Sequence, residues 1–130
     1  MMEDSKASVM HFIMEAEKLL PGMPSLEGDS DPRWQAIIAI GEYIQDEPQA
    51  IWQFICKWGE SSSEDLRMAI ATCLLEHLLE YHFHEYFPKV REMCRRSKIF
   101  ASTFEMCAQF GQSKQRENSQ AFLALMKEIS

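Results

Sequence analysis

The sequence lacks a long run of apolar residues. Of its 130 residues 46% are apolar, yet no stretch approaches the roughly 18 that a membrane-spanning helix requires. The first four residues include two acidic and no basic side chains and lead into an amphipathic segment, so the start does not resemble a secretory signal. We therefore expect no membrane association and a cytoplasmic location, with enough apolar residues to form the core of a single domain over 1–130.

Basic side chains are also scarce. The chain carries 13 Lys and Arg against 20 Asp and Glu, a net charge of -7, which argues against general nucleic-acid binding because phosphate backbones are bound by basic surfaces. Residues 1–90 hold 16 acidic and 6 basic side chains, whereas residues 91–130 hold 4 and 7. An acidic body with a basic end can steer a partner or pair with a second copy, although a solvated helix end is the simpler explanation.

The four cysteines, Cys56, Cys73, Cys94 and Cys107, include no C-x-x-C pair. They lie 17, 21 and 13 residues apart, among apolar residues. This spacing fits neither a zinc site nor a disulfide framework. We expect free thiols, buried like small apolar side chains, in a reducing compartment.

Glycine and proline are few, at five each, and strand-like alternation is nowhere sustained. Apolar residues recur at helical spacing from end to end, which predicts an all-α fold of about seven helices. We expect an N-terminal helix over 1–20, a loop over 21–30, and helix pairs over 31–59, 62–96 and 98–129. The fourth helix is apolar nearly all round, which places it in the middle of the protein, and its core face includes Cys73, His77 and Tyr81.

Several local signals mark where helices begin. Acidic residues precede prolines at 31–32 and 47–48, and proline suits the first helical turn because its missing N–H is not needed there. Ser61 and Glu64 have the spacing of a capping box. Pro88 is expected in the first turn of the fifth helix.

Self-comparison of the chain reveals a repeat with a period of 34 residues. Three positions recur at this distance, namely Asp31 as Asp65, Arg33 as Arg67, and Ile40 as Leu74. A third unit is degenerate and lacks the Asp and the Arg. Such repeats are typical of stacked helix pairs, because each pair buries its apolar face only against its neighbours.

The first unit begins Asp31-Pro32-Arg33 and continues with Ala36 and the segment 39–41, Ala-Ile-Gly. This pattern resembles the HEAT-like repeat family over roughly residues 31–111, and the whole chain is similar to small bacterial HEAT-like proteins. The resemblance implies a short right-handed α-solenoid of antiparallel helix pairs. It also implies a structural ladder in which Asp and Arg pair between repeats, formed here by Asp31, Arg33, Asp65 and Arg67.

The same resemblance nominates a binding face, since the second helices of HEAT-like pairs line a concave surface that receives partners. The candidates are Trp52, Gln53, Lys57, Arg91, Arg95 and Arg96. Trp52 lies off the main apolar stripe of its helix and is the best candidate for an exposed aromatic anchor, with burial under the first helix as the alternative.

Three of the four histidines lie in a polar cluster at 76–85. Carboxylates and imidazoles together can bind zinc or act as an acid–base pair. The weak metal candidates are Glu76, His77, Glu80 and His84. A hydrogen-bonded core histidine and a polar helix end are the simpler interpretation, because His77 shares the core face and His84 lies where the chain should turn.

We therefore predict a non-enzymatic protein-binding module of adaptor or inhibitor type, for example an immunity protein, in the bacterial cytoplasm. The sequence contains no G-x-S-x-G elbow and no phosphate-binding glycine loop. We expect no cofactor, and a monomer or weak homodimer that binds a protein rather than nucleic acid or a membrane. The alternative is a small metal-dependent or DNA-repair-related enzyme that uses the cluster at 76–85.

Overall fold

The computed structural model describes residues 4–22 and 31–130, which form seven helices and no β-strand. The helices are α1 (Asp4–Leu19), α2 (Pro32–Gly41), α3 (Pro48–Trp58), α4 (64–81), α5 (Phe83–Arg96), α6 (Lys98–Glu105) and α7 (Arg116–Ile129). A 3-10 turn, Gly111–Lys114, precedes α7. The all-α prediction is confirmed, and no helix of the described ranges is long and apolar enough to cross a membrane. Most of the predicted loop at 21–30 lies outside the described residues.

Side chains cap three of the helices. The Asp31 carboxylate accepts a hydrogen bond from the Arg33 N–H at 2.8 Å at the start of α2. Ser63, not Ser61, caps α4, because its Oγ accepts from the Leu66 N–H at 3.2 Å. The predicted capping box is therefore wrong: the Oγ of Ser61 accepts instead from the Ser63 N–H, just before the helix. Ser97 caps α6 in the same way as Ser63 caps α4.

Pro88 lies in the middle of α5, so its predicted place in the first turn is wrong. The chain breaks earlier, at His82, whose φ of -136° and ψ of 45° interrupt the helical path between α4 and α5. Proline inside a helix removes the hydrogen bond to the carbonyl four residues back, which here belongs to His84. Both Pro88 and His84 are accessible to solvent on the outer side of α5, so water can replace that bond.

The packing of the helices follows their order along the chain. α1 packs on α2 and α3, whereas α7 packs on α5 and α6. α4 lies between these groups and contacts α2, α3, α5 and α6. Its leucines at 74, 75, 78 and 79 are fully buried, as expected for a helix with apolar neighbours on several sides.

The middle part of α4, Ala71–Leu75, is a π-helical turn between two α-helical parts. A π turn contains an extra residue, which rotates everything after it by about 100° relative to a continuous α-helix. Glu76 is consequently buried, at 6% exposure. His77 is half-buried and Tyr81 is 40% exposed, so their expected place on the core face is wrong.

Gly41 lies where α2 comes closest to α4. A Cβ at this position would lie 2.9 Å from the carbonyl oxygen of Cys73, a contact that backbone atoms cannot relieve without moving the helix. Glycine is therefore required here for the close approach of the two helices rather than for an unusual backbone angle.

An ionic link joins the start of α2 to the start of α4. Arg33, only 4% exposed, donates from Nη2 to Asp31 Oδ2 at 3.1 Å and to Asp65 Oδ2 at 2.7 Å. Arg67 does not join this link, because it donates instead to the carbonyl of Ser61 at 2.8 Å. Arg33 pairs with Asp65 of the next repeat. The corresponding partner of Arg67 would lie 34 residues after Asp65, where the sequence has Ile99 instead of an aspartate.

Replacement of Arg33 tests this link. Arg33→Ala should lower the free energy of unfolding by about 2 kcal/mol, since it removes the buried cation that joins Asp31 to Asp65, while water still reaches the half-exposed Asp65. Urea unfolding measures the change, and Arg116→Ala, an exposed arginine on α7, is the control that should cost less than about 0.5 kcal/mol. Equal losses in both variants would show that the Arg33 link contributes nothing specific.

Candidate functional site

An open groove lies between α3 and α5. Its volume is about 360 Å³. It is lined by Trp52, Cys56, Pro88, Lys89, Glu92, Met93 and Arg96. α3 packs on the first two parts of α4, whereas α5 contacts its last part, 76–81.

The floor of the groove is aromatic. Trp52 is only 8% exposed, so the expected exposure of this side chain is wrong. Its ring packs between α5 and α6, with centroids 5.8 Å from Tyr86 and 6.2 Å, edge to face, from Phe100. The Tyr86 hydroxyl donates to Gln49 Oε1 at 3.2 Å. Trp52 is therefore held in place on two sides and presents only a small part of its ring to the groove.

The walls of the groove are apolar and chemically inert. Pro88 lies on the groove side of α5, and Met93 and Cys56 are half-buried. Burial raises the pKa of the Cys56 thiol to about 11, and the nearby Glu60 carboxylate adds to the effect. At neutral pH this thiol stays protonated and serves as apolar lining rather than as a nucleophile.

The rim of the groove is positively charged. Lys89 places its Nζ 5.1 Å from the centroid of the Tyr86 ring. Arg96 donates to Met93 Sδ at 3.4 Å, and its Nε lies 4.0 Å from the Glu92 carboxylate. Glu92 and Arg96 are both about two-thirds exposed, so their pairing is weak. Two exposed cations thus flank the apolar lining with one carboxylate between them.

The other arginines nominated on α5 are engaged elsewhere. The Arg91 guanidinium lies 5.5 Å from the centroid of the Phe87 ring. Arg95 forms two hydrogen bonds to the Glu128 carboxylate, at 2.8 and 3.0 Å, which fasten α5 to α7. This pairing raises the pKa of Arg95 and lowers that of Glu128.

The remaining two candidates, Gln53 and Lys57, face α1 rather than the groove. They line a smaller pocket of about 230 Å³ between α1 and α3. Lys57 Nζ and Trp58 Nε1 donate to the Glu17 carboxylate at 2.6 and 2.9 Å. Burial pulls the Glu17 pKa upward, but these bonds outweigh it and the pKa is lowered. The six residues expected on one face are therefore divided between separate surfaces.

The structure brings together three of the four residues considered for metal binding. His77 Nδ1 lies 2.7 Å from Glu80 Oε1, and His77 Nε2 lies 3.7 Å from Glu76 Oε2. The His77 ring stacks on Phe110, with centroids 5.5 Å apart and planes 20° apart. The second Glu76 oxygen accepts from the Ala108 N–H at 2.8 Å, so the cluster fastens α4 to the segment after α6.

His84 is not part of this cluster. It lies in the first turn of α5, beyond the break at His82, and its ring meets that of Phe83 edge to face. Within residues 4–22 and 31–130, no three His, Cys, Asp or Glu side chains are grouped so that they could hold a metal ion. The polar atoms of the cluster are instead engaged with one another and with the backbone.

Burial raises the pKa of Glu76, an effect partly offset by the Ala108 N–H and by His77.

The backbone close to this cluster is also unusual, because Gly111 has a φ of +50° and a Cβ there would lie 2.7 Å from Glu80 Cγ. Glycine is favoured at this position, because any other residue would strain the backbone and its Cβ would displace Glu80.

Comparisons of the chain with protein-family models, with curated proteins and with solved structures found no match. The groove and the cluster are therefore interpreted from their own chemistry. The sequence-based candidates did not include five of the lining residues, namely Cys56, Pro88, Lys89, Glu92 and Met93. The helical spacing of Lys89, Met93 and Arg96, together with that of Trp52 and Cys56, is the signal that places them on facing sides of two helices.

The raised pKa of Glu76 predicts a pH-dependent effect of Glu76→Gln. The fold favours the protonated form, so the stabilisation is present below the unfolded pKa and is lost as the pH rises through the folded pKa. The amide keeps an acceptor for the Ala108 N–H and carries no charge. The free energy of unfolding of Glu76→Gln relative to the natural chain should therefore be higher at pH 7.5 than at pH 4, as measured in urea.

Two further variants complete this test. Glu76→Ala should lower the free energy of unfolding by about 1 kcal/mol at pH 7.5, because the Ala108 N–H loses its part-buried hydrogen bond to the carboxylate. Glu105→Gln, an exposed carboxylate on α6, should change stability little at either pH. A stability advantage of the Glu76→Gln variant that is larger at pH 4 than at pH 7.5 would contradict the assignment.

Proposed function

We propose that the chain is a non-enzymatic protein-binding module, of adaptor or inhibitor type, that receives its partner in the groove between α3 and α5. One observation carries the proposal: an open apolar groove of about 360 Å³, with cations at its rim, on a chain whose net charge is -7. A patch with cations at its rim can orient an acidic partner on an acidic protein. The patch attracts the partner, whereas the rest of the surface repels it.

The composition of the groove supports a protein partner. Aromatic residues, Met and Arg are enriched in protein interfaces, and Trp52, Met93 and Arg96 supply one of each. The Trp52 ring is fixed by its neighbours, so a partner would not have to order it. Cys56, the one thiol of the lining, is held protonated, which favours binding over covalent catalysis.

The architecture we propose for this module is a short HEAT-like stack of antiparallel helix pairs. Helix packing that follows chain order supports it, and so does the link from Arg33 to Asp31 and Asp65. In this arrangement α3 and α5 are the second helices of adjacent pairs, on the face expected to receive partners. We place the module in the bacterial cytoplasm, as a monomer or weak homodimer and without a cofactor.

The alternative, a metal-dependent or repair-related enzyme, has less support. Glu76, His77 and Glu80 do lie together, but one Glu76 oxygen is committed to the Ala108 N–H and Glu80 to His77. His84 lies on the next helix and adds no ligand. This arrangement is typical of a structural fastening between two segments.

Charge reversal at the rim tests the proposed function. Lys89→Glu with Arg96→Glu should remove most of the partner captured from host extract by the immobilised natural chain, by about tenfold in quantitative mass spectrometry. The control, Lys114→Glu with Lys127→Glu, makes the same change in net charge at exposed positions outside the groove. It should retain the partner. Equal retention by both variants would contradict the proposal, provided that thermal unfolding shows both to be folded.

A further inference from the structure

We infer that the occupant of the groove is an acidic segment of the partner protein that inserts one bulky apolar side chain between Trp52, Pro88 and Met93. This inference rests on the proposed function and specifies its partner. It concerns the chemistry of the segment, which the residues of the lining determine.

The dimensions of the groove favour a single anchor. Its volume of about 360 Å³ lies near the lower end of the range for ligand pockets. Such a space accommodates a bulky side chain together with the backbone that carries it, but not the apolar face of a whole helix. Interfaces commonly depend on anchors of this kind, buried in a pocket and surrounded by contacts that exclude water.

The groove combines a rigid floor with an adaptable wall. Trp52 is fixed by Tyr86 and Phe100, so the floor exists before a partner arrives. Met93 is half-buried and unbranched, and a thioether of this kind adjusts to the shape of an inserted group. Insertion would also remove water from Pro88. This residue has no backbone N–H, so no hydrogen-bond donor loses its water there.

The charge of the rim determines the residues that flank the anchor. Lys89 and Arg96 are seven residues apart on α5, which is two helical turns and roughly 10 Å along the axis. The only carboxylate near them in the lining, Glu92, is weakly paired with Arg96 and exposed to water. Carboxylates on both sides of an apolar anchor would each lie near one of these cations. Basic residues at the same places would be repelled by them.

The surrounding acidic surface excludes a nucleic acid as occupant on electrostatic grounds. A nucleic acid would place many phosphates over a chain with 20 acidic side chains, beyond the reach of two rim cations. A second copy of the chain could offer its own acidic body, and self-association is therefore an outcome that the test includes.

Three short fluorescein-labelled peptides test the inference by fluorescence anisotropy with the full chain. One has a central Phe between glutamates, the second has Ala in place of Phe, and the third has Phe between lysines. The first should bind, and the Ala peptide should bind about tenfold more weakly because the anchor contact is lost. The lysine peptide should show no saturable binding at matched ionic strength.

Protein variants and spectra locate the binding. Lys89→Glu with Arg96→Glu should weaken the Phe–glutamate peptide by about tenfold. Lys114→Glu with Lys127→Glu should weaken it by less than about twofold. Amide and indole N–H spectra should shift at Trp52, Cys56 and Met93 while Gln53, which faces α1, stays unchanged.

Several results would overturn the inference. These are absence of binding by the Phe–glutamate peptide, equal binding by the lysine peptide, or self-association of the chain that the rim variant abolishes. If host partner capture still depends on Lys89 and Arg96 in those cases, the proposed function stands and only the acidic-anchor chemistry is wrong. If partner capture is also independent of Lys89 and Arg96, both the proposed function and the inference are wrong.

Discussion

Four helices pack around α4, and the rest of the structure depends on this packing. An ordinary amphipathic helix has one apolar stripe, whereas α4 must satisfy neighbours on several sides. The π turn at Ala71–Leu75 changes which residues face inward part of the way along the helix. It buries Glu76, whose carboxylate then requires the Ala108 N–H, and it turns His77 outward onto Phe110. The groove lies between two of these four helices, α3 and α5.

The all-α class and the number of helices could be predicted from the sequence, because the spacing of apolar residues along the chain indicates which side of each helix is buried. The start of α2 could also be predicted, because the Asp31 cap and Pro32 act within the first turn of the helix. Local signals failed where the outcome depends on distant contacts. The π turn has no residue signature, so the burial of Glu76 and the exposure of Tyr81 could not be predicted, although the expected burial of Leu78 is confirmed. Ser61 and Ser63 have similar local chemistry, and only the path of the preceding chain decides which one caps the helix.

The candidate site was less predictable than the fold, for a physical reason. A binding surface is defined by which side chains from different helices lie next to each other, and one helix's periodicity does not contain that information. Trp52 and Arg96 were placed on the face that carries the groove, although Trp52 forms its floor rather than an exposed anchor. Arg95 carries the same charge as Arg96 one position away, yet it faces Glu128 of α7. A difference of about 100° around the helix axis separates a rim residue from a structural one.

The thiols of this chain have a consequence for its chemistry under oxidative stress. Oxidants attack thiolates, and burial raises the pKa of Cys56 to about 11 and that of Cys94 to about 12. At pH 7 the Cys56 thiolate is therefore much rarer than the few per cent found for an ordinary thiol. Peroxide would therefore convert Cys56 to a polar sulfenic acid only slowly. The Cys56 part of the groove wall thus stays apolar without a reductase or a disulfide partner, which leaves the thioether of Met93 as the oxidisable group of the lining.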